Sequence, residues 1–169
     1  SAGAGLSLGL YLPLGINRAV AADAPQATPE VNAWVVVEPD DTVVIRIARS
    51  EMGQGTLTGL AQLVAEELEC DWSKVTTEYP TPGESLARDR IWGSFSTGGS
   101  QGIRGSHRYM REGGALARVM LIAAAADGWG VAAQECSASN SVITHGPTGR
   151  TTTFGEVATA ASGLVPPAE

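Results

Sequence analysis

The spacing of hydrophobic and polar positions predicts a domain that contains both strands and helices. Residues 34–37 and 43–47 are β-branched runs separated by the turn-forming residues 38–41, so this segment is predicted to form a β-hairpin. Between Thr56 and Glu69, leucine and valine recur every three or four residues, as on the buried face of a helix. Residues 74–79 are predicted to form a further strand.

The second half of the chain is also predicted to contain both helices and strands. A long helix is predicted from His107 to Asp127, ended by Gly128. Strands at 142–145 and 151–154 flank a turn at 146–149, and a short helix follows at 154–162. Residues 80–93 are predicted to be a turn-rich connection, and residues 94–105 contain too much glycine and serine for a regular element. The predicted fold class is α/β with α+β layers, a mixed sheet with packed helices.

The first residues form a different kind of segment. Residues 1–20 are small and apolar, and two Ala-x-Ala sites follow at 19–21 and 22–24. This pattern matches the apolar and cleavage regions of an export signal that lacks its charged leading part, so we expect further sequence in front. Residues 1–24 are therefore predicted to be an export-signal remnant, with an N-terminal arm as the alternative. Residues 25–30 form a linker, and residues 31–169 form the folded domain.

Composition excludes some functions and leaves the cysteines open. The 169 residues carry a formal net charge of −7, which disfavours general binding to nucleic acid. Cys70 and Cys136 match no zinc or iron–sulfur spacing. They are interpreted as buried thiols, although an exported protein could also pair them.

Two glycine-rich loops, each before a predicted helix, are the candidate chemical features. Glycine lets backbone N–H groups approach an anion, and the helix dipole favours negative charge there. The alternative is that both loops are ordinary turns, and neither matches the P-loop or the Rossmann fingerprint. The candidate binding residues are Met52, Gly53, Gln54, Gly55, Thr97, Gly98, Gly99, Ser100, Gln101 and Gly102.

Several strings of this chain resemble one enzyme superfamily when they are taken in order. They are Glu51-Met52-Gly53-Gln54-Gly55-Thr56 and the strings at 63–68, 71–75, 96–100, 113–118, 149–150 and 154–156. Together they resemble the xanthine dehydrogenase and aldehyde oxidase superfamily. The nearest branch is that of the isoquinoline 1-oxidoreductase beta subunit and the membrane-associated aldehyde dehydrogenases.

The resemblance implies a cofactor and contacts to it. The domain would be the N-terminal part of a molybdopterin-binding domain, and the branch uses molybdopterin cytosine dinucleotide with molybdenum. The loop at 52–55 would contact the pterin, with Gln54 as a polar contact. The backbone of Gly99 would come near the metal. Many members carry two alanines where this chain has Gly98 and Gly99, which leaves the packing beside the metal open.

The resemblance also implies that this chain is incomplete as a catalyst. The catalytic base of the family is a glutamate in a C-terminal glycine-rich loop, and no stretch here matches it. Glu112 precedes Gly113 and Gly114, but the family pattern gives that segment a packing role. No catalytic residue is therefore assigned to this chain.

The implied partners complete the enzyme. They are the remainder of the molybdenum subunit and a subunit with 2Fe–2S clusters, with a membrane-bound cytochrome c as a further candidate. The implied substrate is an aldehyde or an N-heterocycle. The export pattern and the branch, whose members resemble Tat-exported proteins, predict a periplasmic location, with attachment to the inner membrane through a partner or the N-terminal segment.

Two other functions compete with this interpretation. Residues 98–102 satisfy the G-x-S-x-G pattern of serine hydrolases, with Ser100 as nucleophile. The two histidines of the chain are His107, which is too close in sequence to be the usual base, and His145. The other alternative is an exported, non-catalytic α/β binding or assembly module. Arg104, Arg108 and Arg111 recur at roughly helical spacing and are interpreted as a solvated basic face, with a pyrophosphate contact as the alternative.

Overall fold

The computed structural model describes residues 29–166, and the predicted export segment lies outside the described residues. A four-stranded sheet has the order β1 (Glu30–Asn32), β2 (Val35–Val37), β3 (Val43–Arg46) and β4 (Val75–Glu78). The β1–β2 and β2–β3 pairs are antiparallel, whereas β3 and β4 are parallel. The helix α1 (Thr56–Leu68) makes the crossover that parallel strands require.

A second, antiparallel sheet follows in the C-terminal half. It consists of β5 (Cys136–Ser139), β6 (Val142–His145) and β7 (Arg150–Thr153), paired in chain order. The helix α5 (Phe154–Ser162) begins directly after β7, where Thr153 and Glu156 form a reciprocal capping box. Both predicted hairpins, the α5 helix and the mixed α/β class are confirmed.

The long helix α4 (His107–Trp129) joins the two sheets and packs against α1 and α5. Two glycines allow its close approach to the first half of the chain. A Cβ at Gly114 would lie 2.5 Å from the carbonyl oxygen of Val64, and one at Gly113 would lie 3.0 Å from the Trp34 ring. The core between these layers contains the fully buried Ile45, Leu60, Met110, Leu121, Ile143 and Phe154.

Several local predictions were wrong. Gly128 does not end the long helix, which continues to Trp129 and ends at Gly130, whose φ of 66° suits a glycine cap. A helix, α2 (Pro82–Ala87), lies in the predicted turn-rich connection. A four-residue helix, α3 (Gln101–Arg104), lies in the glycine-rich segment. The short strands β1 and β5 were not predicted, and β1 begins at Glu30, inside the predicted linker.

Within residues 29–166, none of the helices has the length and apolar character needed to cross a bilayer.

Candidate functional site at two glycine-rich loops

The two glycine-rich loops line a common cavity of about 330 Å³. We call residues 50–55 the first loop and residues 96–102 the second loop. The lining residues are Met52, Gln54, Thr56, Thr97, Gly98, Ser100, Gln101, Gly102 and Ile103. The structure thus brings seven of the ten candidate residues to one cavity. Gly53, Gly55 and Gly99 belong to the same loops but do not line it.

Direct contacts hold the loops together. The backbone N–H of Ser50 donates to the Thr97 hydroxyl oxygen at 2.9 Å. Arg49 donates through Nη1 to the carbonyl oxygen of Ser96 and through Nε to the Ser106 hydroxyl at 3.1 Å. The Tyr109 hydroxyl donates to the same Ser106 oxygen at 2.6 Å. The loops are therefore tied to each other and to the start of α4.

Arg49 is a site residue that sequence reasoning missed. Its side chain is buried, with 9% of the residue exposed, and among the described residues no carboxylate lies within ion-pair distance of it. A buried charge needs compensating hydrogen bonds, and Arg49 finds neutral oxygens on the second loop and α4. The only signal in the sequence is a cation three residues after the end of β3, behind two apolar residues.

Close glycine contacts also set the spacing between α1 and α3. A Cβ at Gly102 would lie 2.9 Å from Thr56 Oγ1, and a Cβ at Gly59 would lie 2.9 Å from Ile103 Cδ1. At each glycine, a side chain of the other helix thus packs where a Cβ would otherwise lie. Gly102 has a packing role here in addition to its place in the cavity wall.

Glu51 occupies the N-terminus of α1, a contact that was not predicted. Its Oε1 accepts hydrogen bonds from the N–H groups of Gly53 and Gly55 at 2.7 and 2.9 Å. Its Oε2 accepts from the N–H of Leu57 at 2.9 Å. These backbone hydrogen bonds, that of Leu57 first, lower the pKa of the Glu51 carboxyl below its usual value. The backbone donors that were predicted to approach an anion are thus engaged by a carboxylate of the chain itself.

The Gln54 side chain folds back onto its own loop. Its Oε1 accepts from the N–H of Met52 at 2.5 Å, and its Nε2 donates to the carbonyl oxygen of Ser50 at 2.8 Å. Gln54 therefore shapes the first loop and also lines the cavity. Each amide atom keeps capacity for one further hydrogen bond.

The second loop differs because its backbone donors are not engaged in the same way. Gly99 and Ser100 both have φ of 57°, a left-handed conformation that suits glycine and strains serine. The N–H of Gln101 donates to the carbonyl of Gly98 at 3.1 Å. In the described part of the chain, the N–H groups of Gly98, Gly99 and Ser100 have no protein acceptor. All three residues are exposed, and Gly98 and Ser100 line the cavity.

The hydrolase interpretation lacks its scaffold. A nucleophile elbow needs a strand before the serine, and residues 92–98 form turns and irregular chain. His107 lies at a different cavity, with Glu67 and Arg108 among its neighbours. His145 is buried at the end of β6, where its Nδ1 lies 2.6 Å from the Thr148 hydroxyl oxygen, so it stabilises the β6–β7 turn.

The charged residues of α4 form a solvated, paired face. Arg108 pairs with Glu112 at 2.6 Å, and Arg111 pairs with Glu67. Glu112 is exposed and engaged in this pair, so it has no environment suited to a catalytic base. The interpretation of Arg108 and Arg111 as a solvated basic face agrees with these contacts.

The two cysteines are free and half-buried. Burial raises the pKa of the Cys70 thiol to about 11, which keeps it protonated at neutral pH. Both side chains pack against the core, but each is only half-buried, so the interpretation as buried thiols is correct only in part.

Comparison with known families identifies the family of the chain. The family model described as a molybdopterin cofactor-binding domain matches residues 2–167. The chain belongs to the molybdopterin cofactor-binding domain family. The resemblance to this family that the sequence motifs carried is thereby confirmed.

Two curated relatives are similar to the chain over most of its length. The membrane-bound aldehyde dehydrogenase (pyrroloquinoline-quinone) of Gluconacetobacter polyoxogenes is 31% identical over 160 residues, which is 93% of this chain and 20% of the relative. The isoquinoline 1-oxidoreductase subunit beta of Brevundimonas diminuta is 33% identical over 145 residues, 82% of this chain and 19% of the relative. The chain therefore spans about a fifth of the length of these relatives.

Solved structures share the fold. The reconstituted CO dehydrogenase from Oligotropha carboxidovorans superposes with a TM-score of 0.54 at 20% identity, covering 75% of this chain and 15% of that one. A Cu,Mo-CO dehydrogenase in its carbon monoxide reduced state gives a TM-score of 0.53 at the same identity and coverage. These matches support the α/β layers described above.

Proposed function

We propose that this chain forms the N-terminal part of the cofactor-binding domain of a molybdenum hydroxylase, and that its two glycine-rich loops bind molybdopterin cytosine dinucleotide. The observation that carries the proposal is the cavity that both loops line, together with the Ser50–Thr97 hydrogen bond that joins the loops. Family membership supports molybdopterin as the ligand. The cytosine dinucleotide form follows from the resemblance to the isoquinoline 1-oxidoreductase branch.

The residues at the cavity fit a polar heterocycle. Gln54, Thr97, Ser100 and Gln101 are neutral donors and acceptors, which match the mixed edge of a pterin without imposing a charge. Met52 is 70% exposed, and its thioether offers an adaptable apolar surface for a flat ring. When bound, the molybdenum cofactor supplies the two-electron oxidation of a carbon centre with oxygen taken from water.

The chain's own residues would bind and orient this group. The N–H groups of Gly98, Gly99 and Ser100 would donate to cofactor atoms, and Gly99 would approach the metal through its backbone alone. Gln54 would contribute the remaining capacity of its amide. None of these groups carries the proton chemistry of the reaction, so we expect the catalytic base to come from polypeptide outside this chain.

The proposed enzyme oxidises an aldehyde or an N-heterocycle. Its other parts would be the remainder of the molybdenum subunit and a 2Fe–2S subunit that accepts electrons, with a membrane-bound cytochrome c as a further acceptor. The names of the relatives, an aldehyde dehydrogenase and an isoquinoline oxidoreductase, support these substrate classes. We further propose that residues 1–24 direct the enzyme to the periplasm.

The test is metal and nucleotide analysis of the purified complete complex. Molybdenum together with CMP after acid hydrolysis would support the proposal. The aldehyde dehydrogenase relative carries pyrroloquinoline-quinone in its name, so quinone is assayed in the same sample. Quinone without molybdenum, or a pterin without CMP, would contradict it.

A further inference from the structure

Glu51 closes the N-terminus of α1 with its own carboxylate. The carboxylate accepts the N–H groups of Gly53, Gly55 and Leu57, all at 2.7 to 2.9 Å. No Lys, Arg or His side chain within residues 29–166 pairs with it. Its partners in this part of the chain are therefore the backbone donors of the first loop and of the first helical turn.

A helix N-terminus presents free N–H groups and a partial positive charge, and it stabilises an anion. In α1 the N-cap residue is Gly55, which has no side chain to cap the helix. Glu51, four residues before Gly55, supplies an acceptor for the N–H of Leu57 in the first helical turn and for that of Gly55 itself. An external phosphate would have to displace this carboxylate to reach the same donors.

Glu51 also fixes the position of Gln54. Gln54 lies between Gly53 and Gly55, and both of these amides donate to the same Glu51 oxygen. The two glycines adopt φ of 92° and 76°, and neither has a side chain that could hold the loop in place. The Glu51 carboxylate thus holds the backbone of the loop on both sides of Gln54.

We infer that Glu51 is the built-in anion of the first loop, which excludes phosphate groups from the N-terminus of α1 and positions Gln54 at the cavity. A ligand would then meet the first loop through the side chains of Met52 and Gln54. Only this last statement rests on the proposed function. The exclusion of phosphate is a property of the chain without any cofactor.

The experiment compares thermal unfolding of the full chain with Glu51→Ala, Glu51→Gln and Glu156→Ala. Glu156 is the matched control, because its carboxylate also accepts at a helix N-terminus but engages only one backbone N–H, that of Thr153. Each protein is measured as inorganic phosphate replaces chloride at constant ionic strength. The probe is phosphate itself, so the measurement needs neither molybdenum nor substrate.

For the wild type and Glu156→Ala we expect unfolding midpoints that do not depend on which anion is present. Glu51→Ala should unfold about 3 to 6 °C lower in chloride, as the loss of a helix cap does in a domain of this size, and phosphate should restore part of this loss. Glu51→Gln keeps the shape of the side chain without the charge. Its unfolding midpoint should lie between those of the wild type and Glu51→Ala. It serves as the test protein if Glu51→Ala does not fold.

Two results would overturn the inference. One is a wild-type midpoint that rises with phosphate as much as that of Glu51→Ala, because the α1 N-terminus would then be open to anions. The other is a midpoint in chloride that neither Glu51 variant changes. A complex that lacks molybdenum would refute the proposed function but would leave this result intact, so the two failures can be told apart.

Discussion

The backbone N–H of Ser50 donates a hydrogen bond to the hydroxyl oxygen of Thr97, 47 positions away in the chain, at 2.9 Å. This contact joins two loops that have little regular structure of their own. It places the residues on either side of it, Met52 and Gln54 on one loop and Gly98 and Ser100 on the other, around one cavity. The proposed binding of one ligand by both loops would depend on this junction.

Removal of the junction should loosen the second loop. Thr97→Val keeps the shape of the side chain but removes the acceptor for the Ser50 N–H, so we expect a loss of about 0.5 to 1.5 kcal/mol in stability. Thr97→Ser keeps the hydroxyl and is the control. Limited proteolysis of the second loop, measured beside chemical unfolding, checks the prediction. Equal cleavage rates in both variants would show that the hydrogen bond does not hold the loop.

Replacement of Arg49 by lysine should destabilise the fold. The guanidinium donates in two directions, to Ser96 and to Ser106, whereas an ammonium group on a shorter and differently shaped side chain cannot reach both from one buried position. We expect Arg49→Lys to cost about 1 to 3 kcal/mol. Arg104→Lys, an exposed position on α3, is the control and should stay within about 0.5 kcal/mol of the wild type. Chemical denaturation measures the free energy of unfolding of both variants. Equal losses would show that the two hydrogen bonds of Arg49 do not stabilise the fold.

The Gly102 contact predicts a steric effect. An alanine Cβ at this position would lie 2.9 Å from Thr56 Oγ1, so α3 would have to move away from α1 at a cost of about 1 to 3 kcal/mol. Gly98→Ala places a Cβ in open space in the same loop and should cost less than about 1 kcal/mol. The measurement is the difference between the two unfolding free energies. An equal cost for both would show that the α1–α3 contact is not tight.

The Glu51 carboxylate predicts a pH dependence with a defined sign. Its pKa in the folded chain is lower than the usual 4.5, so the unfolded chain binds its proton more readily. The stabilisation is therefore fully present above pH 4.5 and is lost as the pH falls through the lowered folded-state pKa. The stability difference between wild type and Glu51→Gln should be constant near neutral pH and shrink in acid. A difference that grows in acid would contradict the assignment.

The sequence predicted the elements whose pattern is local. The β-branched runs gave the β2–β3 and β6–β7 hairpins, and the leucine spacing gave α1. The helix α2 was missed although Thr81 and Glu84 form a capping box that is visible in the sequence, because the glycine and proline around them suggested a turn. The strands β1 and β5 pair with the next strands along the chain, β2 and β6, but they are only three and four residues long and contain no β-branched run that would mark them.

The two loops of the candidate site could be predicted from the sequence, but their contacts could not. The glycine pattern identified both loops, yet it could not show that Gly102 receives the Thr56 side chain. It also could not show that Glu51 fills the N-terminus of α1. Arg49 was missed because its role depends on Ser96 and Ser106, which are 47 and 57 positions away. Contacts of this kind depend on the fold and are not encoded in a short motif.

The most direct test of the account places a side chain at Gly99 in the complete enzyme. Gly99 has φ of 57°, so Gly99→Val strains the backbone, and an added Cβ there would meet only Gln101 Cγ at 4.0 Å. Gly149→Val is the matched control, because Gly149 has φ of 68° and open space around it, but it lies in the β6–β7 turn. Both variants should unfold at similar, slightly lowered temperatures.

The decisive measurement is molybdenum per protein in these two folded variants. If the second loop faces the cofactor, Gly149→Val retains its molybdenum, whereas Gly99→Val loses it together with activity. Full molybdenum and full activity in folded Gly99→Val protein would show that the second loop does not face the cofactor, and would contradict the central claim.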